Sequence, residues 1–341
     1  MCGIIGVSGV PDAARVAYLG LYALQHRGQE SAGIVAVTPD GESRIRVGMG
    51  LVSETFDDAE LEKLPGDVAV GHTRYSTTGS TVLANAQPCL VNYRAGSLSV
   101  AHTGNLTNAA EIKQALVERG SIFASSSDTE VLVHLIARSE APDAEMQIRS
   151  ALERVEGAYS LVIGVGRTLY AVVDPRGFRP LVLGRIGKGI VAASETCALD
   201  LVGATFVREL QPGEFVRITD GVVEDLQPLR ARPVSRCVFE LIYFARPDST
   251  IFGQSVDRVR REAGRRLALE HPAPGADVVF SVPDSSNAMA LGFSEASGIK
   301  LEILSHQACL REARRVCDYD ALRAEQAALR RQGIHRGIGV A

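Results

Sequence analysis

Cys2, in the opening MCGIIGV, becomes the first residue of the chain once Met1 is removed, which puts a thiol and an α-amine on one residue. An α-amine titrates near neutrality, so it can take the thiol proton and activate the nucleophile without a separate histidine. The same cysteine is also a small apolar residue suited to starting a β-strand, and Cys2 alone does not choose between the two readings. A nucleophile of this kind needs donors for an oxyanion and charges that hold a substrate. Three later stretches supply such groups. HTRYSTTG (72–79) brings His72, Arg74 and a run of hydroxyls to the end of an apolar run, AHTGNLTN (101–108) sets Gly104 and Asn105 in a turn, and SSSDTE (125–130) opens a helix with Asp128. Arg74 can fork onto a carboxylate and Asp128 can pair with an ammonium, charges that together suit a free α-amino acid. Taken singly, a strand-end arginine is equally a surface ion-pair partner, and an aspartate before a helix is equally a cap.

The elements that must position these groups are legible as alternating texture. Short apolar runs between glycine-rich turns predict β-strands at CGIIGVSGV, AGIVAVT, DVAVGHTRYST, SLSVAHTGNL, YSLVIGVG, LYAVVD, LVLGRIGKGIVAAS and EFVRIT. DAARVAYLGLYALQHR predicts a helix stopped by Gly28, DTEVLVHLIARSEA a helix capped by Asp128, and AEMQIRSALERVEG a third. Strands that outnumber helices predict stacked sheets covered by helices. The texture changes over LRARPVSR (229–236), a candidate domain edge. Beyond it, SVDRVRREAGRRLALEHP predicts a helix, ADVVFSVPDSS a strand ending in a polar turn, and NAMALGFSEASG another helix, the beginning of an α/β domain with a parallel sheet. After Glu302 the remaining residues read as helices.

The totals exclude several partners. In 341 residues, 36 Lys and Arg face 40 Asp and Glu with no long basic run, so no nucleic-acid or anionic-membrane partner is expected. No apolar run approaches membrane-spanning length, and no secretory signal is expected at the N-terminus. The six cysteines, at 2, 89, 197, 237, 309 and 317, include no CxxC pair, which suggests a reducing, cytoplasmic setting. His306, Cys309 and Cys317, spaced by three and eight residues, are as easily chance as a metal site.

In this order, MCGIIGV, LQHRGQESAGI, GHTRYSTTG, AHTGNLTN and SDTE resemble the class II glutamine amidotransferase domain of the N-terminal nucleophile hydrolases. FELIYFARPDS (239–249), expected as a strand, and VVFSVPDSS (278–286) resemble the amidophosphoribosyltransferase family in particular. The resemblance implies an N-terminal four-layer αββα sandwich over 1–232, part of a type I phosphoribosyltransferase α/β domain over 233–302, and an atypical helical tail over 303–341. It implies Cys2 as the nucleophile on the carboxamide of L-glutamine, Arg74 on the substrate carboxylate and Asp128 on its amino group. Arg27, Gly28 and His72 fall in the glutamine-side motifs. The family's HNGN oxyanion motif reads His102, Thr103, Gly104, Asn105 here, so a hydroxyl stands where an amide is usual. Asp284, Ser285 and Ser286 match one side of the phosphoribosyl pyrophosphate site, and Cys237 matches the first ligand of an iron–sulfur cluster held by some members. Magnesium is expected as the family's cofactor; one thiolate does not hold a cluster that takes four. The family's VVLVDDSIVRGTT loop is not found, so a truncated transferase half is expected, with a glutaminase alone or a silent subunit as the alternatives. An open sheet edge in that half predicts a homo-oligomer.

Overall fold

A computed structural model describes residues 2–76, 80–302 and 314–334. Packing divides the chain into Met1–Val259 and Arg260–Ala341. In the first unit the strands are β1 (Gly3–Ser8), β2 (Ser31–Val37), β3 (Ser43–Met49), β4 (Val68–Arg74), β5 (Cys89–Tyr93), β6 (Gly96–Leu106) and β7 (Gly157–Val165). They continue as β8 (Thr168–Val173), β9 (Val182–Ile186), β10 (Gly189–Ala193), β11 (Thr205–Glu209), β12 (Phe215–Thr219) and β13 (Val222–Asp225), with a two-residue hairpin of β14 (Thr250–Ile251) and β15 (Gln254–Ser255). The helices are α1 (Ala13–Ala23), α2 (Val52–Thr55), α3 (Asp58–Glu62), α4 (Ala109–Glu118), α5 (Thr129–Arg138), α6 (Ala144–Leu152) and α7 (Thr196–Leu201).

One sheet has the order β11-β9-β10-β1-β4-β2-β3 and the other β13-β12-β8-β7-β6-β5. Their ladders are antiparallel. Ile4, Val70, Ala101, Val162 and Leu169 close the space between the sheets. Ile5, Val7 and Ile34 face the other way onto Ala14, Ala17 and Leu21 of α1, while Val100, Leu161 and Ile163 meet Leu132, Ile136 and Ile148 of α5 and α6. The result is the helix–sheet–sheet–helix stack that the resemblance implies. Strand β1 is apolar on successive residues because both of its faces are covered, and each fully buried Ile or Val there contributes about 1.5–3 kcal/mol.

Three local expectations change. Helix α1 ends at Ala23, and Gln25–Arg27 forms a separate 3-10 turn, so Gly28, extended with φ −169, closes that turn and not the helix. Asp128 does precede α5, but its side chain makes no capping bond. FELIYFARPDS is not a strand: Glu240–Phe244 is a π-helical turn. Its aromatic and branched residues favour a strand, but helical winding turns Glu240 inward, where it is fully buried. The division at 259 falls later than the change of texture at 229–236 because the intervening residues pack onto the first unit. The Arg246 N–H and Ser249 Oγ donate to Glu195, and the Thr250 N–H donates to Thr196 Oγ1.

Helix α8 (Val256–Glu270) runs into the second unit, followed by β16 (Val278–Val279), α9 (Asn287–Ser297), β17 (Lys300–Leu301) and α10 (Tyr319–Arg330). Strands β16 and β17 pair in parallel on either side of α9, as the α/β reading requires. The strand of ADVVFSVPDSS is shorter than its composition suggests, and Phe280 and Val282 are exposed.

Candidate active site

Cys2 stands at the start of β1, a central strand, and is nearly buried. Its thiol donates to the Tyr75 carbonyl oxygen at 3.5 Å. Burial pushes the thiol pKa up; the Tyr75 hydrogen bond and the Arg74 charge pull the other way, and the Asp128 charge adds to the rise. Both charged groups singled out from the sequence therefore act on this sulfur. A thiol held protonated needs a base before it attacks.

Arg74 ends β4, whose pairing with β1 sets Ile4 opposite His72 and Gly3 opposite Thr73. Its guanidinium is almost fully buried and donates to Glu30 Oε2 at 3.1 Å. Burial raises the Glu30 pKa, but hydrogen bonds from Ser76 and Thr81 and the Arg74 charge together hold the carboxyl below its usual range. Asp128 Oδ2 accepts the Leu106 N–H at 2.9 Å, and Oδ1 lies 3.8 Å from His102 Nδ1. Around it, Gln87 Nε2 donates to Thr129 Oγ1 at 3.0 Å, and Thr129 Oγ1 lies 3.1 Å from His102 Nδ1. This frame fixes the end of β6 against the start of α5.

Thr103 Oγ1 donates to the carbonyl oxygen of Cys2 at 2.9 Å. Its one proton is thus committed to the nucleophile's backbone, whereas the resemblance places it in the oxyanion hole. Gly104 has φ +147, and a Cβ there would come within 2.0 Å of the Ala158 carbonyl oxygen, so only glycine fits beside β7. Asn105 follows on the same strand. His72 is fully buried between the sheets, its Nε2 donating to the His102 carbonyl oxygen at 3.1 Å. Burial holds its pKa down to about 3, so the ring is neutral. It ties β4 to β6.

The resemblance puts Arg27 among the glutamine-side residues; in the structure it is instead the centre of a buried ionic knot. Its Nε donates to Glu195 Oε1 and its Nη2 to Glu240 Oε2, both at 2.5 Å. His26 Nε2 adds a 2.7 Å contact to Glu195, and Arg179 Nη1 one of 3.3 Å to Glu240. Burial alone lowers the Arg27 pKa and raises that of Glu195; the mutual charges outweigh it and reverse both shifts. Gly28 is the link to the site: a Cβ there would lie 2.5 Å from the Arg74 carbonyl carbon, so the turn presses backbone to backbone. Glu195 and Glu240 give no sign in the sequence, since neither lies in a motif beside Arg27. Glu30 does lie in LQHRGQES, but a glutamate in a polar stretch carries no local mark of its role.

In the second unit, Asp284 is exposed and Ser285 and Ser286 are half-buried in the turn between β16 and α9. Ser286 Oγ donates to the Val282 carbonyl oxygen, and the Asn287 N–H donates to the Asp284 carbonyl oxygen at 3.2 Å. Cys237 is half-buried, and it is unbridged, like Cys2, Cys89, Cys197 and Cys317. Among the described residues no three His, Cys, Asp or Glu side chains converge as metal ligands. His306 and Cys309 lie outside the described residues. Among those residues no helix is long and apolar enough to cross a membrane.

A cysteine leading into a central strand of one of two packed antiparallel sheets, with an arginine and an aspartate acting on its sulfur, defines an N-terminal-nucleophile glutamine amidotransferase domain. A sequence profile described as a glutamine amidotransferase domain matches residues 72–201. Amidophosphoribosyltransferase 1, chloroplastic, of Arabidopsis thaliana is 50% identical over 303 residues, 88% of this chain and 53% of its own. Amidophosphoribosyltransferase of Bacillus subtilis is 46% identical over 304 residues, 89% of this chain and 63% of its own. A solved structure of glutamine phosphoribosylpyrophosphate amidotransferase from B. subtilis, complexed with ADP and GMP, superposes with a TM-score of 0.84 at 45% identity, covering 89% of this chain and 65% of that one. The chain belongs to the amidophosphoribosyltransferase family and spans between half and two thirds of the length of these relatives.

Proposed function

We propose that the chain hydrolyses L-glutamine at Cys2 and passes the ammonia to phosphoribosyl pyrophosphate, giving 5-phosphoribosylamine, the first committed step of purine biosynthesis. The observation that carries this reading is the Cys2 thiol, at the start of β1 and bonded to the Tyr75 carbonyl oxygen next to Arg74, under the opposed charges of Arg74 and Asp128. Once Met1 is removed, the α-amine of Cys2 takes the thiol proton. The sulfur attacks the carboxamide carbon, and the oxyanion rests on the Gly104 N–H. Collapse breaks the C–N bond, the proton from the amine goes to the leaving nitrogen, and ammonia departs from a thioester that water hydrolyses to glutamate. Arg74 holds the substrate carboxylate and Asp128 its ammonium. Ammonia then displaces pyrophosphate from C1 of phosphoribosyl pyrophosphate, with Asp284, Ser285 and Ser286 on one side of that substrate. Magnesium would enter as the pyrophosphate complex, since the described side chains offer it no cage of their own. The described cysteines carry no bridges, which suits the cytoplasm.

The test follows product formation from glutamine and, separately, from ammonia, each with phosphoribosyl pyrophosphate and magnesium. Glutamate and phosphoribosylamine should form from glutamine, and Cys2→Ser should abolish glutamate release while sparing the ammonia-dependent reaction. Glutamate release at the parent rate from Cys2→Ser refutes the nucleophile; absence of phosphoribosylamine from either nitrogen source refutes the transfer.

A further inference from the structure

Glu30 precedes β2, and its carboxylate takes four hydrogen bonds from three residues. Oε1 accepts the Ser76 N–H at 3.0 Å and Ser76 Oγ at 2.6 Å; Oε2 accepts Arg74 Nη1 and Thr81 Oγ1, each at 3.1 Å. Between Arg74 and Ser76 stands Tyr75, whose carbonyl oxygen receives the Cys2 thiol proton. One carboxylate thus grips both neighbours of the residue that contacts the nucleophile, and one of those neighbours is the guanidinium assigned to the substrate.

The backbone does not need this grip. The Glu30 N–H already donates to the Arg74 carbonyl oxygen at 3.1 Å, the Glu30 carbonyl oxygen accepts the Gly50 N–H at 2.8 Å, and β2 pairs with β4 along its whole length. The Glu30 side chain is partly open to solvent, at 22%. With the strands already paired, the use of both oxygens against four donors serves local placement.

We infer that Glu30 is the positioning residue of the glutamine site, setting the Arg74 guanidinium and the Tyr75 carbonyl together and so deciding affinity for the substrate. The inference rests on the glutaminase reading of Cys2. A glutamine at position 30 leaves one oxygen and puts an NH2 where the other was, facing either the Arg74 or the Ser76 donors, so no orientation of the amide restores all four bonds.

The test compares Glu30→Gln, Glu30→Ala and Glu30→Asp in the full chain by glutamine kinetics and by hydrogen exchange of the Ser76 amide. Expected are a KM for glutamine raised tenfold or more in the Gln and Ala variants with kcat within threefold, recovery of at least a third of the loss in Asp, and Ser76 exchange at least tenfold faster in Ala. A KM within threefold of the parent, a fall in kcat at constant KM, or a raised KM with unchanged exchange overturns the inference. Should the parent release no glutamate, the glutaminase reading falls, while faster Ser76 exchange in the Ala variant still establishes Glu30 as the group that positions this loop.

Discussion

Replacing Arg27 with methionine separates a ligand-binding role from a structural one. The substitution keeps most of the side-chain volume and removes the cation that contacts both Glu195 and Glu240, which are themselves fully buried. Breaking a buried pair from one side leaves an uncompensated charge at a cost of about 3–5 kcal/mol. At about 2–4 °C per kcal/mol for a domain of this size, the melting temperature should fall by roughly 6–20 °C. The pH dependence supplies a second readout. In the parent, the Glu195 carboxyl is held below its usual range, so its contribution to stability is complete above the unfolded pKa and is lost as pH falls through the folded one. Without Arg27, burial dominates and lifts that pKa above the unfolded value. The variant then loses stability as pH rises from about 4.5 toward neutrality, with His26 offsetting only part of the change. Calorimetry or urea unfolding between about pH 4.5 and 7 measures both effects. A melting temperature within about 3 °C of the parent and an unchanged slope with pH, accompanied by a raised KM for glutamine, would show that Arg27 serves the substrate and refute the ionic-knot account.

His72, with its pKa near 3 in the fold, binds fewer protons than in the unfolded chain between about pH 3 and 6.5; stability should therefore fall as pH drops through that window, and His72→Gln should flatten the slope in acid unfolding curves. Thr103→Asn replaces a hydroxyl committed to the Cys2 carbonyl with a fixed amide donor beside Gly104; glutamate release should rise in kcat by about tenfold or more, and a lower kcat would place the value of Thr103 in its bond to Cys2.

The strands that sequence texture reveals and those it hides differ in a physical way. Those it reveals, among them β1, β4, β6 and β7, lie inside the sheets with covered faces, so they read as apolar runs. The four strands of the two large sheets that it hides, β3, β5, β11 and β13, are the outer strands of those sheets. SRIRVGM and VVED keep a solvated face and one free edge, so charged residues interrupt the apolar continuity by which a strand is recognised.

The site divides along the same line. Cys2, Arg74 and Asp128 are legible as candidates because each lies in a short motif at one end of a covered strand or the start of a helix. Glu195 and Glu240 meet Arg27 across 168 and 213 residues of chain, a pairing that no local pattern encodes. A carboxylate written into an ordinary polar stretch acquires its partner only when the sheets pack. The groups assigned to the substrate are therefore the readable part of this molecule, and the groups that hold them in place, Glu30 above all, become visible only through the hydrogen bonds they collect.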